Sequence, residues 1–482
     1  MPDSPATLVF TLFHGVPAVA GAGHALLYKR DPRSAFGWIA ICVVLPFLGP
    51  LLYFLFGVNR VRTRAQRMTR TAPFRLGVGF ERGDFAGRHA VVAADRVGNR
   101  WRALATVSGK LARRPLVEGN RVEALHNGEQ AFPRMLEAIN GAESRVFLSS
   151  YIFESNATGR HFVDALANAE RRGVDVRVLV DGIGELYSLP WVGQLLAERG
   201  VRVERFMAPR LWPPSLHVNL RNHRKILVVD GCEAFVGGMN IGDRHLLGEG
   251  ATRRPVADLH FRLRGPVIAQ IETVFAEDWR FVTGEVIAPT RSTGPGQPDA
   301  PSLCRAFTDG PNEDLDSLTL VLMGAVSAAR ERIDIMTPYF LPPPALIAAL
   351  QTAALRGVRV RILLPARSNL PFIDWATRNM LGELLAFGVE VRYQPGPFNH
   401  SKLFTIDGHY SVVGSANLDA RSLRLNFELS VEIFCDDTAA DLEGHCDRIA
   451  ARSRPVTQGE VDERPLPQRL RDAVCWLFSP YL

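Results

Sequence analysis

NHRKILVVDG, at Asn222–Gly231, is met again at Asn399–Gly408 as NHSKLFTIDG. Each copy opens on polar residues, runs through four residues that are apolar but for Thr405 (Ile226–Val229, Leu403–Ile406) and closes on Asp-Gly. A short apolar run that ends in Asp-Gly reads as a buried strand entering a tight hairpin turn. The chain then returns through AFVGG (Ala234–Gly238) or SVVGS (Ser411–Ser415) and brings Asn240 or Asn417 back beside the histidine. The interval from His223 to Asn240 equals that from His400 to Asn417. The lysines stand out further, because Lys29, Lys110, Lys225 and Lys402 are the only four among 56 basic residues.

The repetition extends well beyond the hairpins. RVFLSSYIF (Arg145–Phe153) answers to RIDIMTPYF (Arg332–Phe340), and NAERRGVDVRVLV (Asn168–Val180) to TAALRGVRVRILL (Thr352–Leu364). LLAERGVRVERF (Leu195–Phe206) answers to LLAFGVEVRYQ (Leu384–Gln394). Each half alternates β-rich runs with helical segments that end in glycine, the pattern of an α/β fold. The expected architecture is two related α/β lobes, 122–283 and 302–482, in a pseudo-two-fold pair with the site at their seam. Gly284–Pro301, rich in Pro and Gly, reads as the linker.

On a strand, residues i and i+2 share a face, so each histidine projects together with its lysine. Two facing halves then supply two imidazoles, two ammonium groups and two carboxamides to one pocket. That set suits phosphoryl chemistry. Lys225, Lys402, Asn240, Asn417 and the neighbouring Ser415 can donate to non-bridging phosphate oxygens. One of His223 and His400 can attack phosphorus while the other protonates the leaving oxygen. The ammonium groups supply the positive charge, so no metal and no cofactor is called for. Asp230 and Asp407 complete the motif and are counted with this catalytic set, although a place at the turn assigns them to the hairpin more than to substrate. A lone HxK would be an ordinary polar strand edge; two copies at identical spacing inside a repeat are not.

Residues 1–59 read as a membrane anchor. Ser34–Asn59 contains no charged residue, and its apolar centre, Phe36–Gly57, is long enough as one helix to cross a bilayer of about 30 Å. Trp38 and Tyr53 then mark its two interfaces. Residues 6–28 form a weaker apolar segment. The region 60–121 reads as basic and connecting, with 15 Lys+Arg against 4 Asp+Glu between Val58 and Arg121. Such a stretch meets anionic lipid or nucleic acid; the apolar segments before it favour lipid, and no nucleic acid partner is expected. Arg60, Arg62, Arg64, Arg67 and Arg70 after the second segment place the body on the cytoplasmic side. Six cysteines without a CxxC pair fit reduced thiols.

The doubled HxKxxxxD pattern resembles the phospholipase D superfamily. Within it, YIF, RNHRKILVVDG, FVGGMNIGD, TPYF and GSANLDARSLRLNFE are similar to bacterial cardiolipin synthases of the phospholipase D type, from about Tyr28 to the C-terminus. The resemblance implies a bacterial inner-membrane phosphatidyltransferase acting on phosphatidylglycerol, with His223 as nucleophile and His400 as acid and base. It also implies that a downstream acid orients each histidine; Asp258 (in ADLHFRL) and Glu428 (in NFELS) are the matches. RLRDAVCWLFSPYL at the end resembles an amphipathic tail that rests on the bilayer. Pro342, Pro343 and Pro344 stand where the family pattern often carries acids, which leaves the acceptor open. A hydrolase that uses water as acceptor, or a nuclease of the superfamily, carries the same motifs. Tyr151 and Tyr339 are read either as site lining or as packing.

Overall fold

The computed structural model describes residues 5–29, 32–45, 47–57, 91–208, 221–288, 300–310 and 316–479. The chain divides into two compact units, Met1–Ala72 and Pro73–Leu482.

The first unit carries helices α1 (Pro5–Tyr28), α2 (Pro32–Val44) and α3 (Leu48–Leu52). The apolar segment expected as one crossing helix is broken. α2 stops two residues short of Pro46, since a proline disfavours helical backbone in the residue before it. The chain then doubles back, and a Cβ on Gly49 would lie 2.2 Å from the Ile41 carbonyl oxygen. Tyr53 returns to Trp38 with ring centroids 5.3 Å apart, and its hydroxyl lies 2.8 Å from His24 Nδ1. Trp38 and Tyr53, expected at opposite ends of one span, therefore meet at one end of a hairpin. Among the described residues no helix is long and apolar enough to cross a membrane. Arg60, Arg62, Arg64, Arg67 and Arg70 fall outside the described residues, as do 289–299 of the linker.

The second unit is built twice. Its first lobe contains β1 (Leu116–His126), β2 (Arg145–Ser150), β3 (Asp175–Asp181), β4 (Arg202–Phe206), β5 (Ile226–Val229), β6 (Glu233–Gly237) and β7 (Leu259–Arg264). The second contains β8 (Ser302–Asp309), β9 (Arg332–Met336), β10 (Arg359–Pro365), β11 (Glu390–Gln394), β12 (Leu403–Ile406), β13 (Tyr410–Gly414) and β14 (Glu428–Phe434). Strand order is β1-β7-β6-β5-β2-β3-β4 in one lobe and β8-β14-β13-β12-β9-β10-β11 in the other. β1 pairs antiparallel with β8, so the lobes share one sheet across the pseudo-two-fold.

In both lobes three strands run parallel (β2, β3, β4; β9, β10, β11), and the first strand of each hairpin (β5, β12) pairs antiparallel with them. The parallel strands are linked by helices: α4 (Ala157–Arg171) and α5 (Val192–Glu198) in the first lobe, α6 (Pro344–Leu355) and α7 (Pro371–Leu385) in the second. Gly173 and Gly357, each with φ 88°, end α4 and α6 with the left-handed residue that a helix C-terminus favours. Each lobe has its own apolar core. Trp101, Leu104 and Ala105, expected in a connecting region, are buried in the core of the second lobe, and β1 begins at Leu116, inside that same region.

Candidate active site

Both hairpins close as the sequence suggests. Asp230 and Gly231 have φ 52° and 65°, Asp407 and Gly408 φ 50° and 61°, and Cys232 and His409 donate backwards to the Val229 and Ile406 carbonyls. Two consecutive left-handed residues make the turn whose twist matches its strands. The lead-in differs from the expectation, for β5 and β12 begin only at Ile226 and Leu403. His223 and Lys225, like His400 and Lys402, lie in the segment just before the strand. There an asparagine shapes the chain: Asn222 Oδ1 accepts from the Arg224 N–H at 3.1 Å, and Asn399 Oδ1 from the Ser401 N–H at 2.9 Å.

The lead-ins cross the seam. His223 N–H donates to the Phe427 carbonyl at 2.9 Å, and His400 N–H to the Ala257 carbonyl at 2.7 Å. Phe427 and Ala257 immediately precede Glu428 and Asp258. Each histidine thereby receives the acid of the opposite lobe. His223 Nδ1 sits 2.9 and 3.0 Å from the two Glu428 oxygens, and His400 Nδ1 sits 2.9 Å from Asp258 Oδ2. With Nδ1 engaged, Nε2 is the nitrogen left to meet a substrate. Neither half-site is complete without the other lobe.

All four bases are buried. Burial is the largest influence on the rings and lowers His223 to about 4 and His400 to about 3, with the lysines adding to it and the carboxylates opposing. Burial likewise lowers Lys225 to about 7 and Lys402 to about 8. It works against the charge on Asp258 and Glu428 too, yet Lys402 and His400 hold the Asp258 carboxyl well below the carboxylate range. His223, Lys225 and Ser415 lower Glu428 from its ordinary value. The seam therefore holds neutral imidazoles, fixed carboxylates and ammonium groups close to their titration points, a setting in which a bound phosphodiester anion strongly favours protonated lysine.

The remaining expected residues divide. Asp230 and Asp407 lie at the far end of their strands and do not face the seam. Asp230 accepts from the backbone N–H groups of Glu143, Ser144 and Arg145, and Asp407 from those of Arg330, Glu331 and Arg332. The turn geometry that put them in the motif is also what removes them from substrate. Ser415, expected on phosphate, instead bonds the Glu428 carboxylate at 2.5 Å. Asn240 accepts from the Ile152 N–H at 3.2 Å, and Asn417 donates to Ser422 at 3.2 Å; both are buried at the seam end of their strands. Tyr151 lies edge-on to His223, centroids 5.1 Å apart, with Lys225 Nζ 5.3 Å over its ring. Tyr339 stands 6.3 Å from His400.

Sequence reading missed three supports. Arg224 is buried and paired with Asp278 at 2.6 Å while its Nε donates to the Glu428 carbonyl. His245 Nε2 accepts from the Asn240 N–H at 3.2 Å. Gly237, at φ 155°, approaches His260 so closely that a Cβ would lie 2.7 Å from its Nδ1. The unequal pair Arg224/Ser401 was the one signal available for the first of these.

The comparisons with known proteins follow the division into two lobes. A family model described as cardiolipin synthase, PLD-like domain, matches residues 135–279 and 322–450, one stretch in each lobe. A second, described as phospholipase D-nuclease N-terminal, matches 16–57. Cardiolipin synthase A of Pseudomonas fluorescens is 35% identical over 477 residues, covering 98% of each chain. Its counterpart from Pseudomonas putida is 33% identical over 466 residues, 96% of this chain and 95% of that one. The phosphatidylserine synthase of Haemophilus influenzae shares the fold, with a TM-score of 0.60 at 15% identity over 79% of this chain and all of that one. A doubled lobe, a histidine and lysine from each half, and relatives alike along their whole length place this chain in the cardiolipin synthase family of phospholipase D-like proteins.

Proposed function

We propose that the chain makes cardiolipin by transferring a phosphatidyl group from one phosphatidylglycerol to the glycerol hydroxyl of another. The observation that carries the reading is the crossed pairing of His223 with Glu428 and His400 with Asp258, which gives one seam two oriented imidazoles. His223 Nε2 attacks phosphorus, the bond from phosphorus to the headgroup glycerol oxygen breaks, and His400 delivers from its Nε2 the proton that the departing glycerol takes, while Lys402 passes one to its Nδ1, so that the ring stays neutral. The terminal hydroxyl of a second phosphatidylglycerol then attacks the phosphatidyl-histidine, its proton passes to His400, and the phosphorus–nitrogen bond breaks. Two phosphatidylglycerols become one cardiolipin and one glycerol.

A difference between the rings supports this division of labour. Among the described residues His223 Nδ1 meets only Glu428, which holds it as a donor and leaves the Nε2 lone pair for attack. His400 Nδ1 lies 2.9 Å from Asp258 and also 2.8 Å from Lys402 Nζ. It can donate to the first or accept from the second but not both, so its proton can change place, as an acid–base group requires. Lys225, Lys402 and the Asn240 and Asn417 amides stabilise the charge that grows on the phosphoryl oxygens. The setting is the bacterial cell membrane, with the lobes on its cytoplasmic side.

Purified full-length protein in phosphatidylglycerol vesicles, with lipids and glycerol followed by mass spectrometry, tests the proposal. Cardiolipin with equimolar glycerol is expected. Phosphatidic acid alone assigns the acceptor role to water, and cleavage of DNA with neither lipid product overturns the lipid reading.

A further inference from the structure

The helix α8 (Leu466–Leu477) is inside out for a water-soluble surface. Its buried residue is Asp472, held by Arg464 and Arg471. Its apolar residues face outward at helical spacing: Leu466, Leu470, Val474 and Leu477 are 66%, 58%, 54% and 67% exposed. Ordinary amphipathic packing buries such a stripe. Contacts fix the direction in which it runs. Arg464 donates to the Arg378 carbonyl, and Arg471 lies 4.4 Å over the Trp375 ring. α8 is thus antiparallel to α7, and its apolar end advances toward the start of α7.

The start of α7 is the rim of the seam. Leu370, Pro371 and Phe372 follow Asn369, which accepts from the Tyr339 hydroxyl at 2.7 Å, and Tyr339 stands beside His400. The first lobe repeats the device. Leu189, Pro190 and Trp191 precede α5, and Leu189 is 78% exposed. Tyr187, also exposed, lies edge-on to Tyr151, which abuts His223. Leu-Pro-aromatic thus stands at equivalent places in both lobes, one contact chain from each histidine.

We propose that these two apolar platforms, one per lobe, seat the catalytic unit in the headgroup layer of an anionic bilayer and bring each histidine to the depth of lipid phosphate. The inference rests on the lipid reading above and names the surface through which that substrate arrives. Trp191, Tyr187 and Trp476 are the amphipathic rings that favour such an interface. Exposed Arg367 and Arg469 on the second platform complement anionic headgroups.

The test uses the full-length protein in phosphatidylcholine vesicles. Phosphatidylglycerol is supplied either within the bilayer or as its dihexanoyl form, dissolved below its micelle concentration. Leu189→Asp and Val474→Asp are each expected to lower turnover of the bilayer substrate at least tenfold and to leave the dissolved one within twofold. Equal loss on both substrates, or no loss, overturns the platforms. A wild-type protein that turns over neither form overturns the assigned function instead. In parallel, nitroxides at Leu189→Cys and Val474→Cys, in a background where exposed Cys232 and half-buried Cys475 are both replaced by serine, are expected to relax faster with oxygen than with a water-soluble nickel chelate. Water-like accessibility, or labels immobilised in lipid-free detergent by another part of the chain or a second copy, overturns the proposal whatever the activity.

Discussion

The two half-sites share a backbone and differ in side chains. Turn angles agree within a few degrees, the same asparagine shapes each lead-in, and the same backbone donor crosses the seam. Around that frame Arg224 faces Ser401 in the repeat, Glu428 with Ser415 faces Asp258 with Gly238, and Lys402 touches its imidazole where Lys225 touches a tyrosine ring. The Gly238 position in the first half is closed to a side chain, since a Cβ there would lie 2.7 Å from Asp258 Oδ1. The difference teaches that duplication supplies geometry and later substitution supplies roles. One half holds its ring rigidly, through Arg224 and Ser415 acting on Glu428, and the other leaves its ring two partners.

Removing the rings breaks the comparison most sharply. His223→Ala and His400→Ala should each lower turnover by about 10⁴-fold or more, as loss of a nucleophile or of a general acid does. The two should fail differently. With a donor whose leaving alcohol needs no protonation, His400→Ala should accumulate a phosphatidyl adduct on His223, visible by intact-mass and phosphorus NMR, whereas His223→Ala should show none. An adduct on His400 would reverse the assignment.

The Arg224–Asp278 pair ranks next. Asp278→Asn removes the carboxylate paired with a buried guanidinium, and breaking such a pair costs about 3–5 kcal/mol. Urea unfolding of the detergent-solubilised protein should show that loss, and Ser401→Ala in the other half should cost under about 1 kcal/mol. Comparable losses at both positions would mean that the first half is not specially braced.

The orienting acids come third. Glu428→Gln and Asp258→Asn should each cost about 10–100-fold in turnover, the usual range for a group that orients another. Glu428→Gln should slow formation of the adduct in the His400→Ala background. Asp258→Asn, in a chain with both histidines, should slow proton delivery and so depend most on the leaving alcohol. If Glu428→Gln instead mimics loss of His400, the pairing does not cross the seam.

The repeat, the lobes, the hairpins and the four basic residues were legible in the sequence because duplication prints the same spacing twice. The crossing of the acids was not, since it depends on β1 and β8 joining the lobes into one sheet, a pairing that no local pattern encodes. The turn role of Asp230 and Asp407 was legible in the Asp-Gly dipeptide, although the motif counts both with the catalytic set. Ser415 misled, since a hydroxyl beside a glycine is as fit for a carboxylate as for a phosphate. The single helix expected over Phe36–Gly57 is broken because the return of Tyr53 to Trp38 is a tertiary contact, which apolar length alone does not encode.

The pH dependence is the smallest effect and the finest distinction between the halves. Lys225 near 7 and Lys402 near 8 should lose their protons in succession as pH rises, the first half before the second. Turnover relative to KM, which reports the free protein, should fall to about half near pH 7 to 8 and continue down. Stability should move the other way over part of that range. Both lysines hold protons less tightly folded than unfolded, so from about pH 7 to the ordinary lysine value of 10.5 the unfolded chain binds more protons. Their contribution to unfolding free energy therefore rises with pH through that window, and is least favourable below it. Lys225→Met isolates the contribution. It should stabilise the protein relative to wild type at pH 6, and the advantage should shrink as pH rises through the window and vanish only above about pH 11, where the wild-type side chain is neutral in both states. A falling activity limb that coincides with unfolding, or a Lys225→Met advantage that does not change with pH, would deny the seam its paired titrating ammonium groups.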